Sequence, residues 1–188
     1  MSFLASTAFE ARVTNNQFDA LCNITGKYQA SSADADCSAG LLCVRGDNLP
    51  CEGFGSEVLN ENAYYMNVAA SDVTANTPIY ACNMYEAKMV DGYFIGHETL
   101  GLGVPAGRYG TFTRIAFDGA SKYRFGIGNV SGTLSDGYDY LTIDDGLLSP
   151  ASSAPDAGTP YFLLKGQGSF VEGTTDSFGF VDVEAHIA

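Results

Sequence analysis

From Tyr64 onward, apolar and polar residues alternate in short runs, the period expected of strands with one buried face. The densest case is Thr99 to Val130, TLGLGVPAGRYGTFTRIAFDGASKYRFGIGNV. There Leu100, Leu102 and Val104 alternate with Gly101 and Gly103, Pro105-Ala106-Gly107 makes a turn, and Tyr109 to Phe117 and Lys122 to Val130 repeat the pattern. Tyr64 to Ala70 and Ile79 to Ala87 are apolar segments bounded by Asp72 to Pro78 and by the Asp91-Gly92 turn, and Tyr93 to Ile95 is a further short strand. Tyr138 to Ile143 runs into Asp144-Asp145-Gly146, a hairpin turn that continues into Leu147-Leu148. Ser149 to Pro160, SPASSAPDAGTP, reads as a long loop of small residues that neither strand nor helix would tolerate. Tyr161 to Lys165 then forms a strand, Gly166 to Gly168 a bend or bulge, and Glu172-Gly173 a turn. In the last segment Val181, Val183, Ala185 and Ile187 face one way while Asp182, Glu184 and His186 face the other. The predicted fold is mostly β, an antiparallel sandwich or barrel-like domain with an irregular N-terminal arm.

The pattern changes near residue 60. Before it, Phe9, Val13 and Phe18 are widely spaced, SSADADCSAG is a polar loop, and GDNLPCEGFG is dense in turn formers. Extended arm, short strands and loops are expected there, with a short helix over Asn16 to Cys22 as an alternative. The chain therefore divides into 1–60, an N-terminal arm and loop-rich segment packed on the domain or on neighbours, and 61–188, the β domain. Phe3, Leu4, Phe9, Val13 and Phe18 lack the periodicity to bury themselves in a sheet of their own. A partner surface would bury them, which makes these five the candidate partner contacts.

Composition narrows the class. A chain of 188 residues suits one domain, and folding at that size removes roughly 70% of the unfolded surface from water. With 46% hydrophobic residues, 12 Phe and 11 Tyr it is too apolar for a disordered chain, and 22 Gly without Trp suits short strands and tight turns. No run approaches the ~20 apolar residues of a membrane-spanning helix. A net charge of −13 repels phosphate backbones and anionic membranes, so neither nucleic acid nor membrane is an expected partner. Arg108, Arg114 and Arg124 fall within one β segment, where they cap strands or pair with carboxylates. The start, MSFLASTAFEARVTNNQ, lacks a basic beginning and a continuous apolar core, so synthesis in the cytoplasm is expected. Cys22, Cys37, Cys43, Cys51 and Cys82 are an odd count with no CxxC pair, which points to free, mostly buried thiols rather than a zinc site.

Several groupings invite a chemical reading. Gly126-Ile127-Gly128-Asn129-Val130-Ser131-Gly132 departs from the dinucleotide-binding spacing, and no helix follows to receive a pyrophosphate; glycines at a strand exit are the simpler account. Asp34/Asp36 and Asp144/Asp145, with Asp136 and Asp139, build no spaced calcium loop with a distal Glu and read as solvated turns. Cys82 with His97, or His97-Glu98, would be a nucleophile or acid/base couple, yet the chain has two histidines and neither a GxSxG elbow nor an HExxH helix. Glycosidase chemistry needs only two carboxylates, but sugar-cleaving clefts normally add tryptophan platforms, and Trp is absent. No catalytic, cofactor-binding or metal-binding residue is assigned, and no cofactor is expected. An enzyme would require a cleft in which a carboxylate or Cys82 has a strongly shifted pKa. A carbohydrate-binding β-sandwich for receptor recognition or adhesion is the alternative, with Tyr64-Tyr65, or Tyr138 and Tyr140 with Asp139, as sugar contacts.

The succession of GHETLGLGVPAGRYGTFTRI, KYRFGIGNV, DYLTIDDGLL and the closing YFLLKGQGSF and GFVDVEAHI resembles the small auxiliary proteins encoded beside the major capsid protein in tailed bacteriophages, which decorate or cement the head. The likeness covers roughly residues 60 to 188 and rests on the order of glycine-punctuated strands. It implies a non-enzymatic virion protein, made in the host cytoplasm and placed on the outer head surface. Its partners would be the major capsid protein and further copies of itself. Such a protein adds buried area at subunit junctions, where many modest contacts act together.

Overall fold

Alternation is realised as strands throughout the computed structural model, which describes residues 9–13, 23–51, 59–85, 103–135, 137–172 and 176–188. They are β1 (Phe9–Val13), β2 (Asn23–Ala30), β3 (Ala33–Asp34), β4 (Leu42–Pro50), β5 (Leu59–Val68), β6 (Ile79–Tyr85), β7 (Gly110–Arg114), β8 (Lys122–Gly126), β9 (Tyr140–Asp144), β10 (Leu147–Ala151), β11 (Pro160–Glu172) and β12 (Asp176–Ile187). The fold is almost all β, 58% strand, with no α-helix among the described residues. The expected helix over Asn16 to Cys22 and the expected strands at Tyr93 to Ile95 and at Leu100 to Leu102 lie outside them.

Five strands close a barrel in the order β2-β5-β4-β6-β7, and the β2–β7 pairing completes the ring. The ring is antiparallel except at β2–β5, where Thr25↔Ala63 to Gln29↔Asn67 run parallel. A parallel pair needs a long crossover, and β3 and β4 provide it. Tyr28, Cys43, Met66, Tyr80, Cys82 and Phe112 fill the interior, joined by Cys37 and Val104, which bridge each other beside the barrel. Gly26 faces Met66 and Phe112, and a Cβ there would meet the Met66 side chain. The interior combines three aromatic rings with cysteines, a flexible Met and a Gly rather than a full set of Val and Ile.

The second sheet runs β1-β8-β12-β11-β9-β10. Its inner face carries Phe9, Tyr123, Phe125, Leu141, Ile143, Leu148, Phe162, Val181, Val183 and Ala185, which pack with Leu42, Ile79 and Ala81 from outside the barrel. Cross-strand partners share a face, so the β4–β6 register explains both cores. Cys43↔Tyr80 points into the barrel, while Leu42↔Ala81 and Val44↔Ile79 point to the sheet.

Two links fasten the layers. Asn129, in the 3-10 turn Ile127–Asn129, is 1% exposed and donates its Nδ2 hydrogen to the Ala39 carbonyl at 2.9 Å. The Asp145-Gly146 turn, φ +48° and +74°, joins β9 to β10 as a two-residue hairpin of the primed type. Gly146 also donates to the Ala69 carbonyl at 2.8 Å and accepts from the Leu42 N–H at 2.9 Å.

Several expectations are corrected. The change of pattern near residue 60 falls inside the barrel, because β2 to β4 pair with β5 to β7. The Ser149 to Pro160 loop begins as strand, since β10 extends to Ala151. Pro150 is tolerated because β10 is the last strand of its sheet, where a missing N–H leaves no neighbour unpaired. The Lys122 to Val130 strand ends at Gly126 and passes into the 3-10 turn. Val181, Val183 and Ala185 are buried as expected, but Ile187, at the strand end, is 37% exposed.

Candidate functional site

The residues expected to meet a partner separate. Phe9 is 1% exposed within this chain's own core, its ring centroid 5.9 Å from Tyr123 and 5.2 Å from Phe125. The reason is β1, which adds to the edge of β8 in the register Phe9↔Phe125 and so brings Phe9 the apolar neighbours that local sequence lacks. Phe9 therefore has no surface to offer. Val13 pairs through its backbone with Lys122. Phe3, Leu4 and Phe18 lie outside the described residues.

The chemical groupings resolve into turns and pairs. Lys27 Nζ lies 2.7 Å from Asp34, and Asp36 accepts the Ala106 N–H at 2.8 Å. The Lys27 hydrogen bond holds the Asp34 carboxyl below its usual pKa. Gly126 ends β8, with Gly128 in the turn that follows. His97 is outside the described residues, so Cys82 has no described histidine partner from that reading. Among the described residues, no group of three or more His, Cys, Asp or Glu is placed to hold a metal ion, and no helix is long and apolar enough to cross a membrane.

Cysteine chemistry is concentrated in the barrel. Cys37, Cys43 and Cys82 are free, buried and in one cluster, while free Cys51 is partly exposed. The Cys82 thiol donates to the Cys37 carbonyl at 3.8 Å and the Cys43 thiol to the Leu41 carbonyl at 3.7 Å. The hydrogen bond to Cys43, together with burial, pushes the Cys37 thiol up; its hydrogen bond to Cys37 and burial do the same for Cys82. Protonated buried thiols are weak nucleophiles.

Outward-facing residues of the second sheet make the more accessible arrangement. The ring of Tyr161 on β11 stacks on His186 of β12, 5.4 Å between centroids at 21°, and Tyr140 of β9 leans against it at 5.7 Å and 53°. Glu184 Oε1 lies 2.8 Å from His186 Nε2. A separate hollow of about 390 Å³ is lined by Ser71, Thr142, Asp144, Ser149, Thr159 and three apolar residues, Pro160 among them. Of the expected tyrosines, Tyr140 belongs to this strip. Tyr64 instead packs on the barrel core with Arg45 lying 4.7 Å over its ring, and its hydroxyl donates to the Glu61 carbonyl at 2.8 Å. Tyr161 and His186 were missed because their meeting depends on register across a hairpin, which shifts at Leu164/Gly166.

The same hairpin outruns its sheet. β11 and β12 pair from Pro160↔Ile187 to Glu172↔Asp176, yet β9 meets β11 only at Phe162 and Leu163, and β8 meets β12 only from Phe180 to Glu184. At its base, Arg124 makes a two-pronged contact with Asp182, 2.7 and 2.8 Å, and lies 3.8 Å from the Phe180 ring centroid. Phe180 in turn lies against Gly168, where a Cβ would come within 2.6 Å of the ring. The expected pairing of a strand arginine with a carboxylate is thus met at Arg124. No protein-family model, curated protein or solved structure matches this chain.

Proposed function

We propose that this chain is a non-enzymatic virion protein that binds the major capsid lattice of a tailed-phage head and decorates or cements its outer surface. The observation that carries the reading furthest is the length of the β11–β12 hairpin beyond its sheet neighbours. Residues 169–172 and 176–179 pair across the hairpin beyond the reach of β8 and β9. At the base, Arg124 holds β12 to β8 through Asp182 and Phe180. Modest contacts gain strength when many copies sit on one lattice. The charge of −13 suits a surface facing away from a packaged genome.

The test is occupancy on heads of the phage carrying this sequence, purified without this protein. Full-length protein is expected to bind saturably. A chain in which residues 169–179 are replaced by Asn-Gly should keep its far-UV circular dichroism and bind at least about tenfold more weakly, the loss of roughly 1.4 kcal/mol per site. Absence of binding by the full-length chain rejects the reading, and undiminished binding by the shortened chain rejects the role of the hairpin.

A further inference from the structure

The geometry points to a binding surface for a neutral oligosaccharide on the outer face of the second sheet, centred on Tyr161. It is independent of the capsid reading. Tyr140, Tyr161 and His186 are half-buried and stand in a row across neighbouring strands, with successive centroids 5.7 and 5.4 Å apart. Stacking covers one face of Tyr161 and one of His186, and all three rings stay partly exposed. The C–H face of a pyranose packs on aromatic surface of this kind, and a step of one ring per sugar unit lets an extended chain use successive rings. Rings alone would also suit an apolar peptide, and the polar surroundings favour the sugar. Glu184 fixes His186 through the 2.8 Å contact and leaves carboxylate lone pairs for hydroxyl donors.

The hollow lined by Pro160, the chain neighbour of Tyr161, also holds Ser71, Thr142, Ser149 and Thr159. These hydroxyls both donate and accept, matching the mixed character of sugar hydroxyls. The hollow, about 390 Å³, falls in the range that takes a small ligand. Charge selects within the class. Asp144 at the hollow, Glu184 on the strip and a net charge of −13 oppose sulfated, phosphorylated or carboxylated glycans.

The probes are cellohexaose, xylohexaose, chitohexaose and maltohexaose, with a heparin hexasaccharide as the anionic comparison, titrated into the full chain and followed by ligand-observed NMR. At least one neutral hexasaccharide is expected to bind saturably with a Kd of about 1 mM or tighter. Tyr161→Ala should weaken it about tenfold, and Tyr64→Ala, on the barrel, should leave it unchanged. In the unaltered chain, the bound sugar should slow nitration of Tyr140 and Tyr161 by tetranitromethane, read by mass spectrometry, without slowing that of Tyr65. No binding by any neutral probe, tighter binding of the heparin fragment, or bound sugar that leaves Tyr140 and Tyr161 unprotected would overturn the proposal.

Discussion

At Gly146 a single missing side chain lets the two layers meet. A Cβ there would lie 2.7 Å from Val68 Cγ2 and 2.9 Å from the Leu42 carbonyl oxygen, on a backbone already at φ +74°. Gly146→Ala therefore combines left-handed strain with a backbone collision at the turn that bonds to Leu42 and Ala69. It is expected to destabilise the chain by about 2–4 kcal/mol, read from the urea midpoint at unchanged slope; an unchanged midpoint would contradict this account. Tyr28 supplies the pH dependence. Burial in the barrel pushes its hydroxyl from 10.0 up to about 12. The unfolded chain releases that proton first, so the native state binds more protons and stability falls as pH rises between the two values. Tyr28→Phe should flatten the alkaline decline by on the order of 2–3 kcal/mol, measured as urea midpoints across that window.

Among the elements, the barrel has the clearest chemical signature. Cys43 and Cys82 point into the closed ring and Cys37 is buried beside it, so iodoacetamide is expected to modify Cys51 in the native chain and to reach Cys37, Cys43 and Cys82 only after denaturation. Rapid native labelling of the three would mean that the barrel opens readily. The barrel was also the element least legible in sequence. Its inner positions are Gly26, Cys43, Met66, Tyr80 and Cys82 rather than a run of β-branched residues, and β4 shifts register between Arg45 and Asn48. Its parallel β2–β5 pair is a long-range choice that no local pattern announces. Local features were read well: the Asp145-Gly146 turn follows from two residues that tolerate positive φ, and Val181, Val183 and Ala185 from plain alternation. The aromatic strip falls between these cases. Alternation placed His186 and Glu184 on the outer side, while the partner Tyr161 required a register set by the bulge after Leu164.

For the molecule as a whole, Phe9 shows that the first described strand belongs to the core. Phe9→Ala is expected to remove about 3–5 kcal/mol of stability by emptying the space beside Tyr123 and Phe125. Thermal unfolding measures this, and a variant as stable as the parent would return Phe9 to the list of partner contacts. Any deletion through the first residues must therefore be checked for folding before lost binding is ascribed to a missing contact. Ring closure has a consequence in time. Asn23 of β2 must find Thr113 of β7, 90 residues later, before the barrel is complete. Non-local pairing of this kind places folding in milliseconds to seconds once the chain is free. During synthesis, at 5–20 residues per second, the open edge of β2 waits roughly 5–20 s for its partner to emerge from the ribosome. Through that interval the nascent chain carries a strand edge that another extended segment can join, so shielding of unfinished chains is expected to raise the soluble yield of this protein.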